Sequence, residues 1–297
     1  MSRRIKVAAA QVGAINRDTQ KKEVVARLIG LLHSAAEQKV QLVVFPECTL
    51  TTFFPRHLFT SQEELDTFFE RRVISKYRKV HLPGTKEPFE DPKAVNQLEK
   101  RYFTPGDLGF QPFRVPGLIP DALKKATAKE GEKTVGKGDP IMGTMICNDR
   151  RWPEAWRQYS LQGAELLMFG YNTGGNMAHL WGSKPMSPEE AQKEALFHSR
   201  LVQQANSYMN ACFSISSARC GLDDGKYDLI GGSSIVSPEG HVVAEAKTTE
   251  DELVVAEIDL AECRQGKEKT FDFDRHRRIE AYGLINTQTG VVEPPLL

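Results

Sequence analysis

Strand, helix, strand, in that order and then again, make this 297-residue chain an α/β protein built in layers. Residues Ile5–Val12 and Leu42–Phe45 are near-continuous apolar runs, the pattern of strands covered on both faces. Between them Val24, Val25, Leu28, Leu31 and Leu32 recur at helical spacing. The same order returns from Ile141, where an apolar run to Cys147, a helix opened by Pro153 and a second run, Ala164–Phe169, follow one another. A helical crossover predicts parallel neighbouring strands with right-handed winding, and in such folds sites are built at strand ends.

In chain order, Asp18 is placed to cap the first helix. Leu42–Phe45 ends in Pro46-Glu47, so a carboxylate leaves the second strand where a site would form. Leu50-Thr-Thr-Phe-Phe-Pro-Arg then reads as a cleft-lining loop, and residues 62–70 as a short acidic helix. The stretch 115–138, rich in Lys, Ala, Gly and Pro, predicts a surface insertion with a short helix near 122–130. The strand before Cys147 delivers a thiol to a turn, rigid behind and open in front, which suits a nucleophile. A strand-end Cys is also an ordinary small core residue. Beyond Ala164–Phe169 lies the loop Gly170-Tyr-Asn-Thr-Gly-Gly. A long helix (188–206), a strand (211–216), a hairpin (231–236 with 241–246), a last strand (253–258) and a loosely held tail (286–297) complete the chain. With no repeat and no linker, residues 1–297 form a single domain.

Composition narrows the function classes. Lys plus Arg equals Asp plus Glu at 39 each, which gives no global attraction to nucleic acid or to an anionic membrane. Five cysteines, odd in number and without C-x-x-C spacing, argue for a reducing, cytoplasmic setting and against a disulfide framework. The basic N-terminus precedes an apolar run interrupted by Gln11, which reads as a strand and not as a secretory signal. Gly136-Lys-Gly and Gly174-Gly175 match no phosphate-loop spacing, and the histidines do not cluster as metal ligands. Neither a cofactor nor a metal is expected.

Three segments carry a resemblance. Phe45-Pro46-Glu47, Tyr77-Arg-Lys-Val-His-Leu82 and Cys147-Asn-Asp-Arg-Arg-Trp-Pro-Glu154 look like the three signatures of the nitrilase, or carbon–nitrogen hydrolase, superfamily. Within it, Thr51-Thr-Phe-Phe-Pro-Arg, Leu98-Glu-Lys-Arg-Tyr-Phe, Gly170-Tyr-Asn-Thr and His276-Arg-Arg closely resemble N-carbamoyl-D-amino acid amidohydrolases. The resemblance implies a four-layer α-β-β-α sandwich that assembles into homodimers or homotetramers, and a catalytic triad of Glu47, Lys79 and Cys147. It also places Glu99 as a second carboxylate, with His81 and His198 supporting. The implied reaction converts an N-carbamoyl-D-amino acid to the D-amino acid, carbon dioxide and ammonia.

The chemistry needs these residue types. An unassisted thiol supplies only a few per cent of thiolate at neutral pH, so a carboxylate, Glu47, must take its proton and return it to the leaving amine. A fixed ammonium, Lys79, would hold the tetrahedral oxyanion, where one donor is worth about 3 kcal/mol. Arg150 and Arg151 directly after the thiol suit bidentate binding of a substrate carboxylate, helped by Asn172 and Thr173. Each residue has a plainer reading: Glu47 as a strand cap, Lys79 as surface charge, Glu99 as a solvated ion pair. The histidines could equally be partnered core residues, and the arginines could pair with Asp149 or Glu154.

One feature departs from the family. Only 31 residues separate Glu47 from Lys79, where related enzymes carry a further helix and two core strands, so the sandwich is expected to be incomplete by those elements between Glu70 and Ser75. Gln97 also stands where those enzymes tend to have a histidine. Two functions follow: an active cysteine hydrolase of a small carboxylated substrate, an amidase or ureidopropionase-like one included, or a shortened, inactive homologue. Nucleic acid and membrane are not expected partners.

Overall fold

A computed structural model describes residues 2–68, 76–91, 94–121, 138–177 and 186–296. Its strands are β1 (Arg4–Gln11), β2 (Leu42–Val44), β3 (Phe113–Arg114), β4 (Ile141–Ile146), β5 (Leu166–Tyr171) and β6 (Phe213–Ala218). They continue with β7 (Cys220–Asp223), β8 (Tyr227–Ile230), β9 (Ser234–Val236), β10 (Val242–Glu245) and β11 (Glu252–Asp259). A small sheet has the order β11-β1-β2, and a large one the order β10-β9-β6-β5-β4-β3; β7 and β8 form a separate hairpin. The β1–β2 pair and the β4–β5–β6 run are parallel, as the helical crossovers require.

Alternation along the strands makes the layers. Ile5, Val7 and Ala9 of β1 meet Leu166 and Met168 of β5 and Ile215 of β6 between the two sheets. Leu167, Phe169 and Tyr171 point the other way, under Ala155, Trp156 and Tyr159 of the helix Pro153–Leu161 and Ala195 of the long helix Pro188–Asn210. The helix Lys21–Glu37 covers the outer face of the small sheet, setting Val24 and Leu28 on Val12 and Ile15. The four layers are therefore helix, sheet, sheet, helix. Ser187 opens the long helix with a reciprocal capping box to Glu190, which satisfies two N–H groups that would otherwise be orphaned.

Several elements differ from expectation, each for a physical reason. Asp18 is not the cap of the first helix, which begins at Lys21 after Gln20; Asn16 and Thr19 instead close a turn on each other. Leu32, placed on that helix's apolar face, is 45% exposed. Strand β2 reads as fully covered but is half-buried at all three residues, because the small sheet stops there. Among the described residues no strand lies between Val44 and Phe113. The start of the presumed surface insertion is anchored in the core: Ile119 joins the inter-sheet cluster, and Val115 and Leu118 pack against it. The acidic helix spans Gln62–Asp66. The join at 70–75 and the short helix near 122–130 fall outside the described residues. The tail from 286 to 296 is exposed. Among the described residues no helix is long and apolar enough to cross a membrane, and no group of three or more His, Cys, Asp or Glu is placed to hold a metal.

Candidate active site

Cys147 ends β4 and begins a tight turn, Cys147–Arg151. Its φ is +47°, a left-handed conformation that costs a non-glycine residue about 1–3 kcal/mol and persists only where the surroundings impose it. The surroundings do so: Arg150 donates to the Cys147 carbonyl at 2.7 Å, and the Ile146 N–H is held by Asp149 at 3.2 Å. The sulfur is buried, 3.7 Å from the Asn172 carbonyl oxygen and 4.0 Å from the Arg150 guanidinium. Burial first, and then the Glu47 carboxylate, push the thiol up to about 12, although Lys79 and Arg150 pull it back. At rest it is a protonated thiol that needs a base.

Glu47 lies three residues beyond β2 and is fixed by Asn172, whose backbone N–H donates to its Oε1 at 3.2 Å and whose side-chain amide donates to its carbonyl at 2.9 Å. Asn172 thus bonds the carboxylate through its N–H while its carbonyl receives the thiol. Lys79 stands between two carboxylates, 2.6 Å from Glu99 Oε2 and 3.4 Å from Glu47 Oε2. Burial pulls the ammonium down, but Cys147, Glu47 and Glu99 together outweigh it and hold Lys79 above its ordinary value. Burial pushes Glu99 up to about 7 against the pull of Lys79. Glu99 is no solvated ion pair: its side chain is 3% exposed. The three signature residues and Glu99 therefore occupy one place.

Two cavities flank this cluster. The sulfur opens on one of about 560 Å³, which is also lined by Arg150, Arg151, Asn172, Thr173 and His198. The other, about 980 Å³, borders Glu47, Lys79 and Glu99 and runs along Val43 and Val44 of β2. It is the larger but does not reach Cys147, and it runs along β2, the last strand of the small sheet among the described residues.

The two arginines part company. Arg150 is buried and inward: besides Cys147 it bonds the Thr173 and Ser199 hydroxyls and lies 4.0 Å over the Tyr171 ring. It also lines the smaller cavity, so these ties fix its guanidinium beside the candidate substrate space. Arg151 is exposed at the smaller cavity and has no carboxylate partner among the described residues. The donors of Asn172 are spent on Glu47, but its side-chain oxygen is buried there without a partner among the described residues. The Thr173 hydroxyl accepts from Arg150. His81 is the partnered histidine, with Nδ1 2.9 Å from Asp149 and its ring stacked 4.8 Å from that of Trp152. His198 is half-exposed on the long helix, 3.6 Å from Glu194.

The sequence did not single out two residues that matter here. A Cβ on Gly170 would stand 2.5 Å from the Glu47 backbone nitrogen, so only glycine lets β5 pass this close under Glu47. Asp149 is fully buried and accepts from Tyr77 O–H at 2.7 Å, from Val80 N–H at 3.2 Å and from His81 N–H at 2.8 Å, in addition to Ile146 and the His81 ring. The only sequence signal for either was its place beside a motif residue.

Comparison with known proteins adds a family. The profile described as Carbon-nitrogen hydrolase matches residues 6–72 and 64–268, two pieces that overlap where the spacing between the first two signatures is short. An N-carbamoylputrescine amidase from Arabidopsis thaliana is 28% identical over 221 residues, covering 72% of this chain and 60% of that protein. The chain thus spans less than two thirds of the length of that curated relative. A citrullinase from Francisella tularensis is 28% identical over 216 residues, with the same two coverages. Among solved structures, a carbon–nitrogen hydrolase from Helicobacter pylori superposes with a TM-score of 0.71 at 23% identity, covering 96% of this chain and 99% of that one. An amidase mutant from Nesterenkonia, described with an acetamide moiety covalently added at its active-site cysteine, superposes with a TM-score of 0.62 at 18% identity, covering 94% and 95%.

Proposed function

Because the chain belongs to the carbon–nitrogen hydrolase family, we propose that it hydrolyses the C–N bond of a small N-carbamoyl compound bearing a carboxylate, an N-carbamoyl amino acid being the best fit. The N-carbamoyl-D-amino acid is the form its motifs resemble most. The observation that carries this reading is Arg151, a guanidinium with no carboxylate partner among the described residues, on the same 560 Å³ cavity as the Cys147 sulfur. A cationic substrate such as N-carbamoylputrescine would meet it with like charge.

Each group then has a step. Glu47 takes the thiol proton as sulfur attacks the carbonyl carbon, and the oxyanion forms toward the Lys79 ammonium. Collapse of the tetrahedral intermediate expels an amine, which takes the proton back from Glu47. A water molecule, deprotonated by the same carboxylate, then hydrolyses the S-carbamoyl enzyme, which regenerates the thiol and releases a carbamate that decays to carbon dioxide and the second amine. Glu99, at the far side of Lys79, fixes the ammonium and balances its charge. His81 and His198 support the site, and a homodimer or homotetramer is the assembly this reading carries.

The test is ammonia release from N-carbamoyl-D- and L-amino acids, N-carbamoylputrescine and a neutral amide, with wild type and Arg151→Lys. The variant should raise KM for the carboxylated substrates about tenfold and spare the neutral amide; equal loss on both would refute the anchor. One observation favours a second reading. The 980 Å³ cavity along β2 is where an inner strand would lie, so the shortened chain would be an inactive homologue. Stoichiometric labelling of Cys147 by a substrate-like electrophile, absent in a denatured control, would exclude that reading.

A further inference from the structure

The segment from Tyr77 to Leu82 carries Lys79, yet it belongs to no strand or helix. Something else must hold the ammonium within reach of Glu47 and the thiol. We propose that Asp149 is a positioning residue: by tying this segment to the end of β4, it sets where Lys79 stands relative to Cys147. The inference deepens the function just proposed and rests on it.

The geometry is specific. One Asp149 oxygen takes the Val80 N–H, the His81 N–H and the His81 ring nitrogen, and the other takes the Tyr77 hydroxyl and the Ile146 N–H. Four of these contacts lie on the two sides of Lys79, and the fifth is the residue immediately before the nucleophile. Apart from His81, Asp149 has no basic side chain against it among the described residues. A buried carboxylate without a cation is tolerated only where N–H and O–H groups satisfy it, so this acid and this backbone path are mutually dependent. Besides the Lys79 ammonium on Glu99 and Glu47, the segment's other hydrogen bonds among the described residues are Gly106 N–H to the Lys79 carbonyl at 2.8 Å, the Asn148 amide to the His81 carbonyl at 3.1 Å and an exposed Arg78–Asp107 pair at 2.6 Å. A Cβ at Gly106 would fall 2.1 Å from the Arg78 carbonyl, so that side is tight as well.

The charged groups facing Cys147 among the described residues are Glu47, Lys79, Arg150, Glu99 and Arg151. Positioning and direct charge effects of Asp149 therefore have opposite signs. Loss of its negative charge alone would ease ionisation of the thiol. Displacement of Lys79 would make ionisation harder.

The experiment measures alkylation of Cys147 by iodoacetamide against pH, read peptide by peptide in the full chain, for wild type, Asp149→Asn, Lys79→Met and the double variant. The expected midpoint rises by about one unit or more in both single variants, and the double variant adds nothing further because both remove the same interaction. With substrate, kcat of Asp149→Asn should fall about 10²-fold with KM held within about twofold. An unmoved or lowered midpoint in Asp149→Asn, or additive shifts in the double variant, would overturn the proposal. Should Asp149→Asn not fold, Tyr77→Phe removes one of the five contacts and is expected to raise the midpoint by a smaller amount; no rise in the folded variant also overturns it. Absence of turnover in the wild type would sink the proposed function while leaving the alkylation result to stand by itself.

Discussion

Cys147 and its two partners are held in place by different means. The sulfur stands at the end of β4, a strand paired on both sides, by β5 along five residues and by β3. Helices cover its sheet from outside with Trp156 and Tyr159 fully buried. Glu47 leaves β2, the half-buried edge of a three-stranded sheet, and Lys79 sits on a segment with no strand at all. Backbone pairing positions the nucleophile. Side-chain hydrogen bonds, from Asn172 to Glu47 and to Asp149 from the lysine segment, position the base and the ammonium. The proton-handling side of the site therefore rests on side-chain ties that a single substitution can remove, and the thiol does not.

That contrast can be broken in three places. The largest effect is on stability: Leu167→Ala in β5 should cost about 2–5 kcal/mol, whereas Val43→Ala on the half-buried β2 should cost less than about 1.5 kcal/mol, read by urea unfolding. Equal costs would mean that β2 is covered in solution. Next comes a pair of glycines. Gly170→Ala drives a methyl group toward the Glu47 backbone, and kcat should drop about 10²-fold while the fold persists. Gly143→Ala drives one into the Tyr159 ring and should cost about 1–3 kcal/mol of stability, with kcat of the folded protein nearly unchanged. A comparable kcat loss in both would erase the distinction between the two sides.

The smallest effect is electrostatic, and its sign decides. Glu47 raises the thiol and Lys79 lowers it, from a resting position near 12. Glu47→Gln should move the alkylation midpoint of Cys147 down, making the thiol more reactive at pH 9. Lys79→Met should move it up and make the thiol less reactive at the same pH. Each shift is about one unit. Movement in the same direction for both would show that neither group faces the sulfur as described.

Motif residues were legible because each follows or begins an apolar run, as Glu47 and Cys147 do, or sits in a basic signature, as Lys79 does. The pairing of Arg150 with Arg151 was not. Side by side in sequence they look equivalent, but a turn with about three residues per revolution throws successive side chains roughly a third of a circle apart. Both line the smaller cavity, but one is buried over the Tyr171 ring and the other is exposed. Asp149 read as a salt-bridge partner because its donors are backbone N–H groups some seventy residues earlier, which carry no side-chain signature. The edge status of β2 was equally hidden, since an apolar run looks the same whether or not a further strand covers it. Ile119 was overlooked because a single anchor in a polar stretch leaves no period to detect.

Local pattern alone was enough for the alternation of strands and helices, because apolar period is a property of a few adjacent residues, whereas the four-layer architecture and the candidate reactive groups were read from the resemblance of three motifs to a family. Which guanidinium is exposed, which glycine lies under the carboxylate, and which backbone groups Asp149 binds depend on the fold. Those are distances between residues remote in the chain, and nothing but the packed arrangement of the two sheets sets them.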